Sequence, residues 1–128
     1  MPSIFNITNQ TGGIIPRREV FIRIKNKILG KKYHLGLTFI TSAQIKKLNK
    51  SYRNKDKPTD ILSFPIDKNI GDIYICPAQA RIMAKKFDRP YDNFLLFLFI
   101  HGCVHLKGYD HGGTMDRIEA KIRKQFKV

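Results

Sequence analysis

The chain has 128 residues, enough for one domain with a hydrophobic core and too few for two domains of ordinary size. Its 24 Lys and Arg against 10 Asp and Glu give a formal charge of +14. This charge favours polyanionic partners, nucleic acid first among them, although a solvated basic surface has the same composition. The longest apolar run, residues 94–100, is too short for a transmembrane helix.

The first third of the chain alternates between strand and helix patterns. Residues 4–8 predict a strand, and the polar and glycine residues after it predict a loop. Pro16 suits the first turn of a helix, and Gly30 can end it. This predicted helix has apolar side chains every four residues, although residues 20–24 taken alone also suit a strand. Apolar residues then alternate as in a half-buried strand, at Leu35, Leu37 and Phe39.

A capped helix follows. Thr41 and Gln44 form a capping-box pattern, which indicates a helix N-terminus. The helix has an apolar stripe that we expect to face the core, formed by Ile45, Leu48 and Tyr52.

Two strands and a helix are predicted after the charged loop at residues 53–60. The segment ILSFPI contains Pro65, which lacks a ladder donor and therefore indicates the edge or end of a sheet. DIYIC, residues 72–76, predicts another short strand, and Pro77 can open a helix that runs through residue 87.

The last two predicted helices differ in character. Asp92 suits the N-cap of a helix that is apolar on nearly all sides, so we expect this helix to be central and buried. A final helix begins near Thr114 and ends in a basic segment that suits the helix dipole. The predicted class is α+β, with the order βαβαββααα: a small mixed four-stranded sheet packed with about five helices.

The cysteines and the N-terminal sequence indicate a reduced, cytoplasmic setting. Cys76 and Cys103 have no CxxC spacing, and nothing else suggests a disulfide-rich secreted domain. The segment MPSIFNITNQ lacks the pattern of a signal peptide. We expect a single domain over residues 1–128.

Three of the four histidines fall in the run HGCVHLKGYDH, at the C-terminal end of the buried fourth helix. His101 and His105 are four residues apart, so their imidazoles project from one helix face about 6 Å apart. Gly108 can end the helix and let the chain bring back His111 as a third ligand. Three imidazoles leave one position of a tetrahedral zinc ion open, as in catalytic sites. The alternative to a metal site is a histidine cluster in the core or on the surface.

The spacing of the three histidines and Gly108 also matches the metzincin protease motif HExxHxxGxxH. Gly102, however, stands where the catalytic glutamate of such a protease would be. The pattern therefore indicates a metal site without the general base of a peptidase.

This motif, together with the segments LNKSYRNKDKPTDILSFP and GDIYIC, resembles the YbeY family of bacterial endoribonucleases over most of the chain. The family pattern HGxxHLxGxDH is matched at His101, Gly102, His105, Leu106, Gly108, Asp110 and His111.

The resemblance implies one zinc ion per chain, held by His101, His105 and His111. It also implies single-strand-specific cleavage of RNA in ribosomal RNA maturation, notably near the 3′ end of 16S rRNA, and a role in ribosome quality control. The implied partners are ribosomal RNA and the ribosome or its small-subunit assembly factors.

The resemblance places the family's motif arginine at Arg53, whose planar guanidinium can hold a substrate phosphate; a solvated loop arginine is the alternative. Asp110 can orient a ligand imidazole, take a proton from bound water or serve only as a turn residue. Water and the 2′-hydroxyl of the RNA are both open as nucleophile. Weaker candidates for RNA contact are Lys55, Lys57, Lys107 and Tyr109, the last of which also suits packing against the helix end.

Two other functions remain open. One is another metal-dependent hydrolase, a peptidase included, which the residue at position 102 disfavours. The other is a noncatalytic ribosome-binding or RNA-binding assembly factor in which zinc only stabilises the fold.

Overall fold

The computed structural model describes residues 4–109 and 112–128. Within these residues it has four strands and five helices in the predicted order. The strands are β1 (Phe5–Asn9), β2 (His34–Phe39), β3 (Ile61–Asp67) and β4 (Ile70–Ile75). The helices are α1 (Arg18–Ile28), α2 (Ser42–Arg53), α3 (Pro77–Lys86), α4 (Tyr91–Leu106) and α5 (Gly113–Phe126). The α+β class and the order βαβαββααα are confirmed.

The strands form one mixed sheet in the order β1-β2-β4-β3. β1 and β4 both pair with β2 in parallel, whereas β3 pairs with β4 antiparallel. β3 is therefore an edge strand, as its proline indicated. Its register shifts between Pro65 and Asp67, where the missing ladder donor of the proline leaves the pairing irregular.

One face of the sheet, which we call the covered face, packs against α1 and α4. Alternate residues of the two central strands point into this layer and are buried, because side chains of a strand alternate between its two faces. Rings from both helices and β1 fill it, with the Phe21 and Phe99 ring centroids 5.0 Å apart and those of Phe5 and Phe99 6.1 Å apart. The buried strand residues are Leu35, Leu37, Phe39, Ile73 and Ile75.

The opposite face, which we call the open face, is only partly covered, by α2. Thr41 and Gln44 form the predicted capping box at the start of this helix. Beneath α2 lies a small cluster of buried side chains, made of Ile40, Ile45, Leu62 and Cys76.

Three local expectations about the helices are wrong. Tyr52 is 69% exposed rather than part of the buried stripe of α2, because the helix ends at the rim of the sheet. The N-cap of α4 is Pro90, whose ψ of 145° is extended, so Asp92 lies inside the first turn. α1 begins after Arg17, which leaves Pro16 just outside the helix.

The glycine stops are confirmed. Gly30 follows α1 with φ of +90° and Gly108 follows α4 with φ of +111°, a backbone conformation that glycine adopts without steric cost. None of the helices in residues 4–109 and 112–128 has the length and apolar content needed to cross a membrane.

Candidate active site

α4 brings two of the predicted metal ligands to one cavity. His101 and His105 lie one turn apart near its C-terminal end, and both imidazoles are half-buried at the rim of the covered face. They line a cavity of about 390 Å³ together with side chains from α2 and β3. The rest of the helix is packed on both sides, so the imidazoles are held on a rigid element.

Gly102 lets α4 approach the sheet closely. A Cβ atom built at this position would lie 3.0 Å from Ile73 Cδ1, 3.0 Å from Ser63 Oγ and 3.1 Å from Ile61 Cδ1. A longer side chain would therefore collide with β3 and β4. The packing explains why this helix has glycine where a peptidase of similar spacing has its catalytic glutamate.

Glu119 of α5 contacts the first histidine from behind. Its Oε1 lies 2.7 Å from Nδ1 of His101, and its side chain is only 7% exposed. A carboxylate can only accept, so in the neutral imidazole Nδ1 carries the donated hydrogen and Nε2 keeps its lone pair. Carboxylates contact metal-binding histidines in this way and fix both the tautomer and the ring orientation.

Arg53 is the last residue of α2 and lines the histidine cavity. Asn54 follows with φ of 56°, a left-handed conformation that ends the helix and turns the chain into the charged loop. The arginine also lines an adjoining cavity of about 320 Å³, to which Lys55 and Lys57 contribute. The structure thus brings the predicted arginine to the same cavity as the two histidines.

Asp60 adds a carboxylate near these groups. Burial raises the pKa of Asp60 above the ordinary range of an aspartate. Hydrogen bonds from the backbone N–H groups of Asp60 and Ile61, the charge of His101 and the hydroxyl of Thr59 act in the opposite direction. The side chain lines the adjoining cavity that Arg53 shares.

The remaining sequence candidates are distributed unevenly. Asp110 and His111 lie outside the described residues. Lys107 lines a separate cavity, beside Tyr33 and Lys68. Tyr109 is 37% exposed just beyond α4. In the part of the chain that the structure describes, no three His, Cys, Asp or Glu side chains form a group able to hold a metal ion.

Sequence reasoning missed Glu119, Asp60 and the exposure of Tyr52. Glu119 lies 18 positions from His101, so no local spacing rule connects them. One signal was available: Glu119 falls four residues after Met115 and three before Ile122, on the apolar stripe of α5, where a charged side chain needs a partner. For Tyr52 no signal was available, because helical periodicity does not show where a sheet ends.

Comparison with known proteins identifies the class. A family model described as endoribonuclease YbeY matches residues 15–127, which is most of the chain and includes the cavity residues. The class is therefore that of endoribonucleases, enzymes that hydrolyse phosphodiester bonds within RNA.

Relatives bearing the same description are similar over most of their lengths. The chain is 37% identical to the YbeY endoribonuclease of Acholeplasma laidlawii, over 94% of this chain and 88% of the relative. It is 35% identical to that of Finegoldia magna, over 79% of this chain and 71% of the relative. A solution structure of a Thermotoga maritima protein superimposes with a TM-score of 0.67 at 27% identity, covering 96% of this chain and 91% of that one. The chain belongs to the YbeY endoribonuclease family.

Proposed function

We propose that this endoribonuclease holds one zinc ion through His101, His105 and His111 and cuts single-stranded RNA. We further propose that it acts in the cytoplasm on ribosomal RNA, near the 3′ end of 16S rRNA, and in ribosome quality control. Its partners would then be the ribosome or small-subunit assembly factors. The observation that carries the proposal is the convergence of two imidazoles and the Arg53 guanidinium on one cavity of a strongly basic chain.

The donor set suits zinc. Two neutral imidazoles on one helix face are common zinc ligands, and the carboxylate of Glu119 on His101 Nδ1 leaves Nε2 available to a metal. A bound zinc ion would supply an acidified water and would polarise a phosphoryl oxygen. His111 is the third proposed ligand on the strength of the sequence motif.

The side chains around the cavity have separable roles in this proposal. Arg53 donates two parallel hydrogen bonds to a phosphate of the RNA and places that phosphate beside the imidazoles. Glu119 holds the ring of His101 at a fixed angle. Asp110 remains a candidate proton acceptor on sequence grounds.

Product end groups separate the two possible nucleophiles. Attack by water on phosphorus breaks the P–O5′ or the P–O3′ bond and leaves a linear phosphate on one product. Attack by the 2′-hydroxyl breaks only the P–O5′ bond and leaves a 2′,3′-cyclic phosphate with a 5′-hydroxyl. Mass spectrometry of the fragments would distinguish these outcomes.

The test compares His105→Ala with Arg53→Ala for metal content and for cleavage of a single-stranded RNA. We expect His105→Ala to lose bound zinc and cleavage together. Arg53→Ala should keep its zinc while cleavage falls by about 100-fold, the usual cost of losing a group that stabilises transition-state charge. Matched controls are the exposed residues His34 on β2 and Arg18 on α1, whose alanine variants should behave as wild type.

Two results would contradict the proposal. Equal cleavage by wild type and His105→Ala would mean that the histidine site does not cut the RNA, as when a contaminating nuclease cuts it. Loss of zinc from Arg53→Ala would remove the assignment of that residue to the phosphate.

A further inference from the structure

Tyr52 is an exposed aromatic residue at the end of α2. It occupies the last turn of α2 and is 69% exposed, yet its ring is in contact with another aromatic ring. The ring centroids of Tyr52 and Phe64 are 5.0 Å apart, and those of Phe64 and Tyr74 are 5.9 Å apart. We call these three residues, which lie on α2, β3 and β4, the aromatic row.

The aromatic row connects the histidine cavity with the open face of the sheet. Tyr52 lines the histidine cavity with Phe64, and it also lines a second cavity of about 650 Å³ on the open face. The two cavities share Tyr52, while Phe64 lines only the histidine cavity and Tyr74 only the second one, so a chain that passes from one cavity to the other crosses the aromatic row. The second cavity is lined by Tyr52, Tyr74 and polar residues that include Gln10, Thr38, Gln44 and Lys47.

The polar groups of the second cavity suit the edges of nucleobases. Amides and hydroxyls offer both donors and acceptors, which base edges require. The amide of Gln44 is already fixed, because its Nε2 donates to Gln10 Oε1 at 3.2 Å and its Oε1 accepts from the Thr41 N–H at 2.9 Å. Lys47 supplies a positive charge at the same cavity, and none of the described residues that line it carries a carboxylate.

Asp72 adds a negative charge beside the aromatic row. It pairs with Phe64 in the register of β3 and β4 and lies two residues before Tyr74 on the same face of β4. Its negative charge raises the pKa of Tyr74 in addition to the larger effect of burial. A phosphate backbone is repelled near Asp72 and attracted by Arg53 at the histidine cavity and by Lys47 at the second cavity. The favourable path for the phosphates therefore runs from the histidine cavity past Tyr52 to the cavity at Lys47.

We propose that the aromatic row and the second cavity form a base-stacking subsite for single-stranded RNA, one or more nucleotides away from the bond that is cut. Every base has an aromatic face, so such a row binds unpaired bases with little sequence preference. The inference rests on the proposed function in one respect, that the histidine cavity is the place of cleavage. It does not depend on the identity of the metal or its ligands.

The experiment measures binding of a short single-stranded RNA to Tyr52→Ala in the presence of a chelator, so that cleavage does not interfere. We expect affinity to fall by about tenfold or more, the usual cost of losing one base-stacking ring. In cleavage assays KM should rise by a similar factor with little change in kcat, since a contact kept from ground state to transition state affects binding alone. Tyr52→Phe, which keeps the ring and lacks the hydroxyl, should bind as wild type.

The matched control is Phe87→Ala. Phe87 is also an exposed aromatic residue, at 59%, and it also stacks on a second ring, with its centroid 6.0 Å from that of Phe94. It lies away from both cavities, so its variant should bind RNA as wild type. A duplex of the same sequence should lose little affinity to Tyr52→Ala, because paired bases do not offer their faces.

Several results would overturn the inference. One is wild-type affinity of Tyr52→Ala for the single-stranded RNA. The others are a loss of affinity as large as that of Tyr52→Ala in Tyr52→Phe or in Phe87→Ala, or an equally large loss when Tyr52→Ala binds the duplex. A failure of the metal proposal would show differently, as cleavage by His105→Ala with RNA binding by Tyr52→Ala still impaired. Thermal unfolding of each variant checks that the exposed substitutions leave the fold intact.

Discussion

The covered and open faces of the sheet are built from the same strands but differ in what lies against them. On the covered face, α1 and α4 bury nearly every side chain between them and β2 and β4. On the open face, α2 shields only the cluster around Ile45 and leaves aromatic and polar groups in contact with solvent. The cavity of His101 and His105 lies at β3, where the two faces meet.

This difference separates two requirements of a nuclease. In the proposed function, the groups that act on one phosphate must be held within fractions of an ångström, which a packed helix such as α4 provides. The RNA must also reach those groups, and a fully packed layer would exclude it. A site at the sheet edge has rigid support on one side and an accessible surface on the other.

The largest effect should come from inserting a side chain between α4 and the sheet. Gly102→Glu places a carboxylate in a position where even a Cβ atom would lie only 3.0–3.1 Å from side-chain atoms of Ile73, Ser63 and Ile61. Overpacking and burial of a charge add, so we expect a loss of about 4 kcal/mol or more in unfolding free energy, or no folded protein. Urea unfolding followed by circular dichroism measures this loss.

Gly102→Ala is the control for that substitution. It adds only the Cβ atom, and the gain in helix propensity of about 1 kcal/mol offsets part of the crowding. We expect its stability to remain within about 1 kcal/mol of wild type. A Gly102→Glu protein as stable as wild type would show that α4 lies farther from β3 and β4 than these distances indicate.

Two phenylalanine-to-alanine substitutions compare how much packing on each face contributes to stability. Phe99 is fully buried on the covered face between the Phe5 and Phe21 rings, so Phe99→Ala should cost about 3–5 kcal/mol. Phe64 is half-buried on the open face, and Phe64→Ala should cost about half as much. Denaturant midpoints at unchanged slope measure both. Equal losses would mean that the open face is packed as tightly as the covered one.

The sequence predicted the covered face better than the open one, for a physical reason. Leu35, Leu37 and Phe39 alternate with less apolar residues, and a residue that faces a complete layer is buried wherever it falls along the strand. On the open face burial depends on how far α2 extends over the sheet. The period of its stripe predicted Ile45 correctly and Tyr52 wrongly, since periodicity gives the direction of a side chain and not the extent of the layer it faces.

The candidate site shows the same division. Local spacing along one helix predicted that His101 and His105 share a face, and the structure places both at one cavity. Arg53 came from the family resemblance, because nothing in the charged loop distinguishes one basic residue from another. Glu119 was missed, because its contact with His101 depends on how α5 packs against α4.

The smallest predicted effect concerns a charge inside the covered layer. Lys25 of α1 is 1% exposed, and its Nζ donates to the backbone oxygen of Lys31 at 3.3 Å. In the described ranges, 4–109 and 112–128, no carboxylate forms an ion pair with it. Lys25→Met keeps the apolar stem and removes the charge, so we expect a gain of about 1 kcal/mol in unfolding free energy at neutral pH.

The pH dependence of that gain identifies its cause. Burial lowers the pKa of Lys25 below its ordinary value near 10.5. Between the folded-state value and 10.5 the unfolded chain binds the proton and the folded chain does not, so wild-type stability rises with pH across that window. The advantage of Lys25→Met should therefore be complete below the window and shrink as pH approaches 10.5. Lys27→Met, which changes an exposed residue on the same helix, should show no such gain at neutral pH. An advantage that stayed constant with pH would mean that improved packing, rather than removal of a buried charge, stabilises the variant.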